Sequence, residues 1–495
     1  MDLLLYLCAG RGGRQREMKI DRIMIAAPKS GSGKTLITCA LLQALKEQGQ
    51  QVFAYKCGPD YIDPMFHQKV IGVPSKNLDT FFTGEEGTRR LFLRDRKEGD
   101  FAVLEGVMGL FDGLGGVKEE GSSYHLAQVT KTPIILVVDA KGMGRSLVPL
   151  LSGFQQYDRG HFIQGVILNR ISKSYYEILK PILEAELQAD ILGYFGEHKE
   201  LAFENRHLGL KMPGEVADFQ KKILLAAEEL KKTVSLEKIL QIAAGAEELP
   251  GRAEEFIGGG KSQSSLEGGN VPKAGNTPET ARPVIAVARD EAFCFYYEDN
   301  LRLLEECGAK IKYFSPLHDK RLPKGCCGIL IGGGYPELFA ERLGSNTKMA
   351  GVLREAVQDK MPIVAECGGF LYLQTALLDA EGRRYAMAGV LPSSGYDTGK
   401  AVRFGYVELE EKESSFLPAG ERIKGHEFHY FDSTDNGSDC LAIKPVTGRQ
   451  YPCVMAGEDH WLGFPHLYYP SNPAFAKRFV EKACRYRDRK GGTHA

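Results

Sequence analysis

The sequence predicts an α/β protein of two domains, each built around a mostly parallel sheet. Strand-like runs alternate with helical patterns in two separate series, and many of these runs are continuously apolar. Continuous apolarity indicates strands that are covered on both faces, as in a parallel sheet. At 495 residues the chain also exceeds the size that one hydrophobic core normally supports.

The first series occupies residues 18–250, and its strand-like runs are RIMIAAP, QVFAYK, FAVLEGVM, PIILVVDA, FIQGVILNR and ADILGYFG. A tract rich in Gly, Ser, Asn and Pro follows, and we predict a flexible linker over 251–282. The second series, 283–490, contains PVIAVARD, AKIKYFSP, GILIGGGYPEL and MPIVAECGG. We interpret residues 1–17 as an extension outside both domains, with a signal peptide as the weaker alternative.

The segment PKSGSGKT at 28–35 lies between the first predicted strand and a helical pattern. It matches the phosphate-binding motif GxxxxGK[ST], except that Pro28 replaces the first glycine. In such a loop, backbone N–H groups and the lysine bind phosphates, and the hydroxyl binds Mg²⁺. A turn that only caps the helix would not explain the adjacent lysine and threonine. We therefore expect ATP to bind at Ser30, Gly31, Ser32, Gly33, Lys34 and Thr35.

Lys29 stands one residue after the first position of this loop. One class of dimeric P-loop ATPases carries an extra lysine there, which reaches across to the partner subunit. A solvated side chain is the simpler interpretation of a single lysine in a polar loop. A homodimer is therefore one arrangement that we consider.

Four carboxylates follow predicted strands. KCGPDYIDP supplies Asp60 and Asp63 after the second strand, and LEGVMGLFDG supplies Glu105 and Asp112 after the third. The carboxyl ends of parallel strands gather ligands, and Mg²⁺ held by phosphates needs carboxylates nearby. The alternative is that the first two form Asx turns around the neighbouring prolines.

Cys367 falls on a turn between the strand-like run before it and a helical pattern that begins at Phe370. At a helix N-terminus, the helix dipole and free N–H groups should lower the thiol pKa and bind an oxyanion. Gly368 allows close backbone approach, and Gly333 and Gly334 offer further backbone donors. We expect Cys367 to be the nucleophile of an acyl transfer through a thioester, although buried structural cysteines are common.

This nucleophile needs a general base, and four histidines of the second series are candidates. They are His426, His429, His460 and His466. The residues alone leave the choice among them open.

These motifs resemble the class I glutamine amidotransferase pattern, in the variant found in the cobyrinic acid and cobyric acid synthases. ECGG at 366–369 matches the nucleophile turn of that family, and His466 matches its base. The N-terminal half resembles the dethiobiotin synthetase-like P-loop ATPase domain of the same enzymes, and FENRHLGL at 203–210 matches a segment typical of them. The resemblance covers about residues 20–480 and implies a flavodoxin-like C-terminal domain.

The segment GPDYIDP matches the a,c-diamide branch of the family, because cobyric acid synthases carry an Asn- and Ser-rich segment there. The resemblance implies a metal site at Thr35, Asp60 and Glu105. It implies substrate-binding residues at Asp60, Tyr61, Asp63 and Asp112, and Asn169 matches the position that reads adenine. It also implies an oxyanion or glutamine site at Gly333, Gly334 and Gly368.

Three positions depart from the family pattern. Besides Pro28, Ala365 replaces the glycine that usually stands two residues before the nucleophile. Tyr468 occupies the position, two residues after the histidine, where most of these amidotransferases carry glutamate. Either another group orients His466, or Cys367 and His466 act as a dyad.

The resemblance implies ATP-dependent amidation of the a and c carboxylates of cobyrinic acid, with glutamine or ammonia as nitrogen donor and an acyl phosphate intermediate. The expected small molecules are cobyrinic acid, glutamine, ATP and Mg²⁺. One alternative is a nickel sirohydrochlorin a,c-diamide synthase. An alternative of another class is a P-loop nucleotide switch with a scaffold domain.

The composition of the chain indicates which partners and which cellular compartment to expect. The 63 basic and 64 acidic residues nearly balance, so no overall charge favours nucleic acid or an anionic membrane. No run approaches the roughly 20 apolar residues of a membrane span. Eleven cysteines without a repeated spacing indicate a reducing compartment, and we expect a cytoplasmic protein.

Overall fold

The structure is a computed structural model that describes residues 19–94, 96–97, 99–198, 201, 216–249 and 282–491. The N-terminal extension, the segment FENRHLGL and all but the last residue of the predicted linker lie outside these ranges. The predicted domain boundaries therefore stay a prediction. No described helix is both long and apolar enough to cross a bilayer.

The N-terminal half contains one seven-stranded parallel sheet. Its strands are β1 (Asp21–Ala26), β2 (Val52–Cys57), β3 (Ser75–Leu78), β4 (Phe101–Glu105), β5 (Ile134–Asp139), β6 (Ile163–Asn169) and β7 (Asp190–Phe195). They lie in the order β3-β2-β4-β1-β5-β6-β7. All six predicted strands are confirmed. The edge strand β3 was not predicted, because its short sequence SKNL lacks the apolar run that marks its neighbours.

Helices cover both faces of this sheet. They are α1 (Lys34–Glu47), α2 (Ile62–Phe66), α3 (Thr80–Leu93), α4 (Ser123–Thr130), α5 (Leu147–Tyr157), α6 (Lys173–Glu186), α7 (Val216–Thr233) and α8 (Leu236–Ala244). A π-helical turn, His67–Ile71, continues α2, and a 3-10 turn spans Leu114–Gly116. Two apolar cores, one on each face, bury the strands, as their continuous apolarity predicts.

The C-terminal half contains four sheets. Its strands are β8 (Val284–Ala288), β9 (Phe293–Phe295), β10 (Lys310–Phe314), β11 (Cys326–Ile331), β12 (Gly333–Gly334), β13 (Ile363–Glu366), β14 (Ala376–Leu378), β15 (Arg384–Ala386), β16 (Ser394–Asp397), β17 (Arg403–Glu411), β18 (Arg422–His429), β19 (Phe431–Ser433), β20 (Cys440–Ile443), β21 (Gln450–Cys453), β22 (Met455–Ala456), β23 (His460–Gly463) and β24 (His466–Leu467). Its helices are α9 (Glu298–Glu306), α10 (Ala340–Ser345), α11 (Thr347–Gln358), α12 (Gly368–Leu373) and α13 (Pro473–Gly491), with 3-10 turns at Pro336–Phe339 and Tyr469–Ser471.

The main C-terminal sheet has the order β10-β8-β11-β13-β23-β22, parallel except for β22. The four predicted strands β8, β10, β11 and β13 are confirmed in it. Three further sheets were not predicted: an antiparallel sheet, β21-β20-β17-β18-β24, a mixed sheet, β15-β14-β16-β19, and the β9-β12 pair. The antiparallel sheet matters for the site because it carries three of the four candidate histidines on β18 and β24.

The two halves meet through polar and aromatic contacts. The hydroxyl of Tyr406 donates a hydrogen bond to Asp79 Oδ2 at 2.7 Å, and the Lys424 ammonium donates to the Phe81 carbonyl at 2.7 Å. Ring contacts across the boundary include Phe81–Tyr406, Phe82–Tyr468 and Tyr61–Tyr297. Because one N-terminal core extends into residues of the C-terminal half, the boundary is a packed surface.

Arg22 is a fully buried cation in β1. Its guanidinium donates hydrogen bonds to the carbonyls of Thr130 at 2.9 Å, Ile20 at 2.7 Å and Lys131 at 3.2 Å, and also to that of Glu247. Arg22 therefore ties β1 to the end of α4 and to the segment after α8. Carbonyls buried without a donor carry a desolvation cost.

Replacing this cation should destabilise the N-terminal half. We expect Arg22→Met to lower the free energy of unfolding by about 3 kcal/mol, because several carbonyls lose their donor at once. Denaturant unfolding followed by circular dichroism measures the change. Lys19→Met, which removes an ammonium bound to the Ala244 carbonyl near the surface, should change stability by less than about 0.5 kcal/mol. Equal losses in both variants would contradict this account of Arg22.

Candidate active sites

The predicted phosphate loop begins α1, as the motif requires. Gly31 and Gly33 have φ values of 75° and 95°, a left-handed conformation that glycine adopts without strain. The Ser32 hydroxyl donates to the Lys29 carbonyl at 3.0 Å, which closes the loop. Replacement of the first motif glycine by Pro28 therefore still allows this turn. The side chain of Lys29 is exposed.

Lys34 lies inside the loop as a cation with few protein partners. Its ammonium donates to the Met108 carbonyl at 2.6 Å and to the Lys29 carbonyl at 3.4 Å. Burial, followed by the nearby Lys56 charge, lowers the pKa of Lys34 to about 8. A phosphate group beside it would stabilise the charged form.

Asn169, at the end of β6, contacts the backbone of the phosphate loop. Its amide donates to the Ser32 carbonyl at 2.8 Å. A Cβ atom on Gly33 would come within 2.1 Å of the Asn169 Nδ2, so this packing requires glycine at position 33. The adenine-reading role of Asn169 stays a prediction.

Glu105, at the end of β4, has no exposed surface and is surrounded by cationic and hydroxyl groups. Thr35 donates to its Oε1 at 2.7 Å, Lys56 donates to the same oxygen at 3.0 Å, and His67 Nε2 lies 3.2 Å from its Oε2. Burial opposes the charge on Glu105, but Lys56, His67 and Thr35 outweigh burial and hold its pKa below the usual value. Lys56 and His67 were not predicted as site residues, although the segment KCGPDYIDP contains Lys56.

Thr35 and Glu105 suit Mg²⁺, because a hydroxyl and a carboxylate are the hard oxygen ligands that this ion prefers. In the part of the chain that the structure describes, no group of three or more His, Cys, Asp or Glu side chains is arranged to hold a metal. Phosphate oxygens and water would therefore have to complete the coordination, as is common for Mg²⁺ at nucleotide sites.

The segment after β2 is fixed by its own carboxylates. Asp60 Oδ1 accepts from the backbone N–H groups of Ile62 at 2.7 Å and Asp63 at 3.2 Å, which is the Asx turn that the sequence analysis gave as the alternative. Asp63 pairs with Lys56 at 2.7 Å, and burial raises the pKa of Asp63 to about 7. The ligand roles of Asp60 and Asp63 stay predictions.

Asp112 lies in a turn after β4. Its Oδ2 accepts from the Gly109 backbone N–H at 2.9 Å. A Cβ atom on Gly109 would come within 2.5 Å of that carboxylate oxygen and 2.7 Å of the Pro28 carbonyl. Asp112 therefore packs close to the start of the phosphate loop.

Cys367 stands on the turn between β13 and α12, as predicted. It has a φ of 50°, which is unusual for a residue other than glycine and marks a sharp turn. A Cβ atom on Gly369 would come within 2.1 Å of the Ile331 carbonyl oxygen, and one on Gly368 within 3.2 Å of the Gly334 nitrogen. The nucleophile turn thus packs directly against the glycine strand β12.

The predicted lowering of the Cys367 pKa is wrong for this conformation. Burial, followed by the charge of Glu337, raises the pKa of Cys367 to about 12. A hydrogen bond with the Gly368 backbone lowers the pKa but does not compensate. The reason is that the thiol is almost fully enclosed and α12 has only six residues.

Among the candidate histidines, His466 lies against the glycine strand. A Cβ atom on Gly333 would come within 2.3 Å of the His466 ring. Burial, followed by the charge of His429, lowers the pKa of His466 to about 3, so the ring is neutral and able to accept a proton near pH 7. Its Nδ1 has no hydrogen-bond partner among the described residues.

The other histidines have different surroundings. His426 lies opposite His466 in the β18-β24 pair, and the two rings stack at 4.9 Å. His429 Nδ1 contacts the Phe431 carbonyl at 2.6 Å. His460 pairs with Ile363, at the end of β13 away from Cys367, which removes it as a base for this thiol.

Tyr468 does not orient His466. Its hydroxyl donates to Asp299 Oδ2 at 3.0 Å, and its ring stacks on Phe82 of the N-terminal half at 4.9 Å. The family's usual glutamate is therefore replaced by a residue of the boundary between the halves.

Tyr61 connects the two sites. It belongs to the segment after β2, yet its ring lies 5.3 Å from that of His466 and 5.6 Å from that of His426. It also stacks on Phe295 at 5.1 Å. The sequence predicts Tyr61 as a substrate residue but gives no sign that it contacts the second domain.

Comparisons with known proteins match both halves. The CobQ/CobB/MinD/ParA nucleotide binding domain matches residues 23–209, and the CobB/CobQ-like glutamine amidotransferase domain matches residues 284–456. A cobyrinate a,c-diamide synthase of Caldanaerobacter subterraneus subsp. tengcongensis is 36% identical over 93% of this chain and 97% of its own. That of Clostridium tetani is 39% identical over 93% of this chain and 99% of its own. The chain therefore belongs to the cobyrinate a,c-diamide synthase family of glutamine amidotransferases.

Proposed function

We propose that this protein amidates the a and c carboxylates of cobyrinic acid in cobalamin biosynthesis, using ATP and the amide nitrogen of glutamine. Its family makes it a carbon–nitrogen ligase of the glutamine amidotransferase class. The observation that carries the proposal is the pairing of two sites on one chain. The phosphate loop with Glu105 lies in one half, Cys367 with His466 lies in the other, and Tyr61 spans the boundary between them.

In the glutaminase half, Cys367 attacks the side-chain amide carbon of glutamine, and His466 accepts the thiol proton. Backbone N–H groups of Gly333, Gly334 and Gly368 stabilise the oxyanion of the tetrahedral intermediate. Its C–N bond then breaks, His466 returns the proton, and ammonia leaves the glutamyl thioester. Water hydrolyses the thioester to glutamate and restores the thiol.

In the synthetase half, a substrate carboxylate oxygen attacks the γ-phosphorus of ATP, and ADP leaves. Lys34 and the loop N–H groups bind the phosphates. Ammonia then attacks the acyl phosphate carbon, phosphate leaves, and the nitrogen loses a proton to give the amide. This order is favourable because phosphate leaves far more readily than a carboxylate oxygen. Thr35 and Glu105 would hold Mg²⁺, which supplies positive charge beside the phosphates when bound.

Asp60, Tyr61, Asp63 and Asp112 are proposed to bind the corrinoid. They lie at the carboxyl ends of β2 and β4, on the side of the sheet where the phosphate loop begins α1. Ligands of open α/β sheets gather at this edge. Asn169 is proposed to contact the adenine base.

The test is to incubate the purified protein with cobyrinic acid, MgATP and glutamine and to follow the products by mass spectrometry. Two successive mass decreases, each equal to replacement of a hydroxyl by an amino group, are expected. Glutamine hydrolysis without any change in cobyrinic acid would reject this substrate. The same assay with nickel sirohydrochlorin would then identify the alternative.

Cys367→Ser should separate the two half-reactions. We expect loss of at least about 100-fold in glutamine-dependent amidation, because serine is a far weaker nucleophile without thiolate character. Ammonia-dependent amidation should stay near the wild-type rate. The matched variant Lys34→Met should lose amidation with both nitrogen donors by about 100-fold, because a phosphate-binding cation is removed. Equal loss with both nitrogen donors in Cys367→Ser would contradict the assignment of glutamine hydrolysis and amidation to separate sites.

Glu366, beside the nucleophile, should make stability depend on pH. Burial raises the pKa of Glu366 to about 8, although the Tyr469 hydroxyl lies 3.4 Å from its Oε1. The folded protein then keeps a proton that the unfolded chain loses above about pH 4.5. Stability should therefore fall as pH rises from about 4.5 to about 8, by up to about 1.4 kcal/mol per pH unit.

Glu366→Gln should remove this contribution. We expect its melting temperature to fall less than that of the wild type between about pH 5 and about pH 8. Glu355→Gln, which changes an exposed carboxylate on α11, should behave like the wild type. Parallel pH profiles for all three proteins would show that Glu366 is already ionised in the folded state.

A further inference from the structure

Tyr61 places an aromatic ring of the synthetase half inside the glutaminase site. The residue is 7% exposed. Its ring contacts four rings of the C-terminal half, at centroid distances of 5.1 Å for Phe295, 4.6 Å for Tyr297, 5.6 Å for His426 and 5.3 Å for His466. Every one of these partners lies in the half that carries Cys367.

These contacts cover His466 and lie beside the glycine strand β12. Phe295, on which the ring stacks, pairs with Gly333 in the β9-β12 ladder, so the ring lies beside the glycine strand proposed to bind the oxyanion. Tyr297, whose ring lies 4.6 Å from that of Tyr61, contacts His426 Nδ1 through its hydroxyl at 3.1 Å. Together these contacts cover the ring of His466.

The ring has space into which it can move. It is one of the residues that line a cavity of about 500 Å³ between the halves, together with Tyr296 and Tyr335 of the C-terminal half and Met65 and Phe219 of the N-terminal half. A cavity of this size accommodates a displaced tyrosine side chain. A rotation of Tyr61 into it would uncover the ring of His466.

A series of ion pairs and a hydrogen bond connects the segment that carries Tyr61 to the phosphate loop. Asp63, two residues later, pairs with Lys56 at 2.7 Å, and Lys56 binds Glu105 at 3.0 Å. Glu105 in turn accepts from Thr35 at 2.7 Å. Any ligand that changes the partners of Thr35 or Glu105 therefore changes the charges that hold this segment.

We propose that Tyr61 is a gate: its ring closes the glutamine site in the resting enzyme and withdraws when substrates engage the synthetase half. This inference rests on the proposed function, since it needs a glutaminase to control. The gate would couple glutamine hydrolysis to the synthetase reaction, because ammonia is then released only when an acyl phosphate can form. Tyr61 would thus be both a substrate residue and the sensor of substrate occupancy.

The first test is glutamine hydrolysis without ATP or corrinoid. Tyr61→Ala should raise this basal rate by about tenfold, because removing the ring raises the fraction of molecules with an open site. Tyr61→Phe, which keeps the ring, should give a smaller rise. Tyr406→Phe is the matched control: it keeps the ring opposite His426 in the β17-β18 pair and removes only the hydroxyl that donates to Asp79 across the same boundary, so it should leave the basal rate unchanged.

The second readout is the reactivity of Cys367, measured by iodoacetamide labelling and peptide mass spectrometry. Labelling should be faster in Tyr61→Ala than in the wild type. It should also rise in the wild type when MgATP and cobyrinic acid are added. Melting temperatures establish that each variant is folded before these rates are compared.

The outcomes separate the gate from the proposed function. If the wild type hydrolyses glutamine in the complete mixture but Tyr61→Ala shows wild-type basal hydrolysis and labelling, the gate is rejected and the function stands. A lower basal rate with unchanged labelling would also reject the gate and make Tyr61 a positioning residue for His466. If the wild type hydrolyses no glutamine in the complete mixture, the proposed function itself fails.

Discussion

The structure depends on the neutralisation of one buried carboxylate, that of Glu105. An ionised carboxylate without contact to water is costly unless cations and donors surround it. Here three separate elements supply them: Thr35 from the start of α1, Lys56 from β2 and His67 from the π-helical turn after α2. The requirement to compensate this charge therefore brings together the phosphate loop and the segment that contains Tyr61.

The same network extends to the second half of the chain. Lys56 also pairs with Asp63, which fixes the segment whose tyrosine enters the glutaminase site. Around that tyrosine, aromatic and hydrogen-bonded contacts join the halves, including Tyr406 with Asp79 and Phe82 with Tyr468. The boundary is consequently specific, since hydrogen bonds and stacked rings tolerate little rotation of one half against the other. The contacts that begin at the phosphate loop thus extend to the ring of His466.

Local sequence explains the position of Cys367, the proposed nucleophile, but not its pKa. A short strand, a tight turn and a helix place Cys367 next to free backbone donors, and the glycines around it are required by close approach of β11 and β12. Its pKa, however, depends on how much of the thiol water reaches, and this depends on the packing of other elements, such as β11 and β12, around the turn. In the closed site, burial outweighs the donors of a six-residue helix. The missing glutamate after His466 likewise has its explanation in the boundary, where Tyr468 packs against Phe82 and Asp299.

The sequence by itself determined the elements whose signals are local. Largely apolar runs identified ten strands of the two parallel sheets. Burial on both faces removes alternation in most of them, whereas the edge strand β10, KIKYF, is only partly buried. The spacing of Gly33, Lys34 and Thr35, and the turn at Cys367, identified two of the reactive segments, because motif and geometry there involve adjacent residues. Short or polar strands such as β3 and β23 escaped detection, as did the antiparallel strands β17 and β18, which mix buried and exposed positions.

Only the tertiary structure decided which distant residues meet. The pairing of β18 with β24 brings His426 against His466, the packing of the halves brings Tyr61 against both, and charge compensation brings Lys56 and His67 to Glu105. The physical reason is that these contacts have no local periodicity or spacing. They arise from sheet pairing, from buried charge and from the close packing of two separate cores, and each of these depends on the whole folded chain.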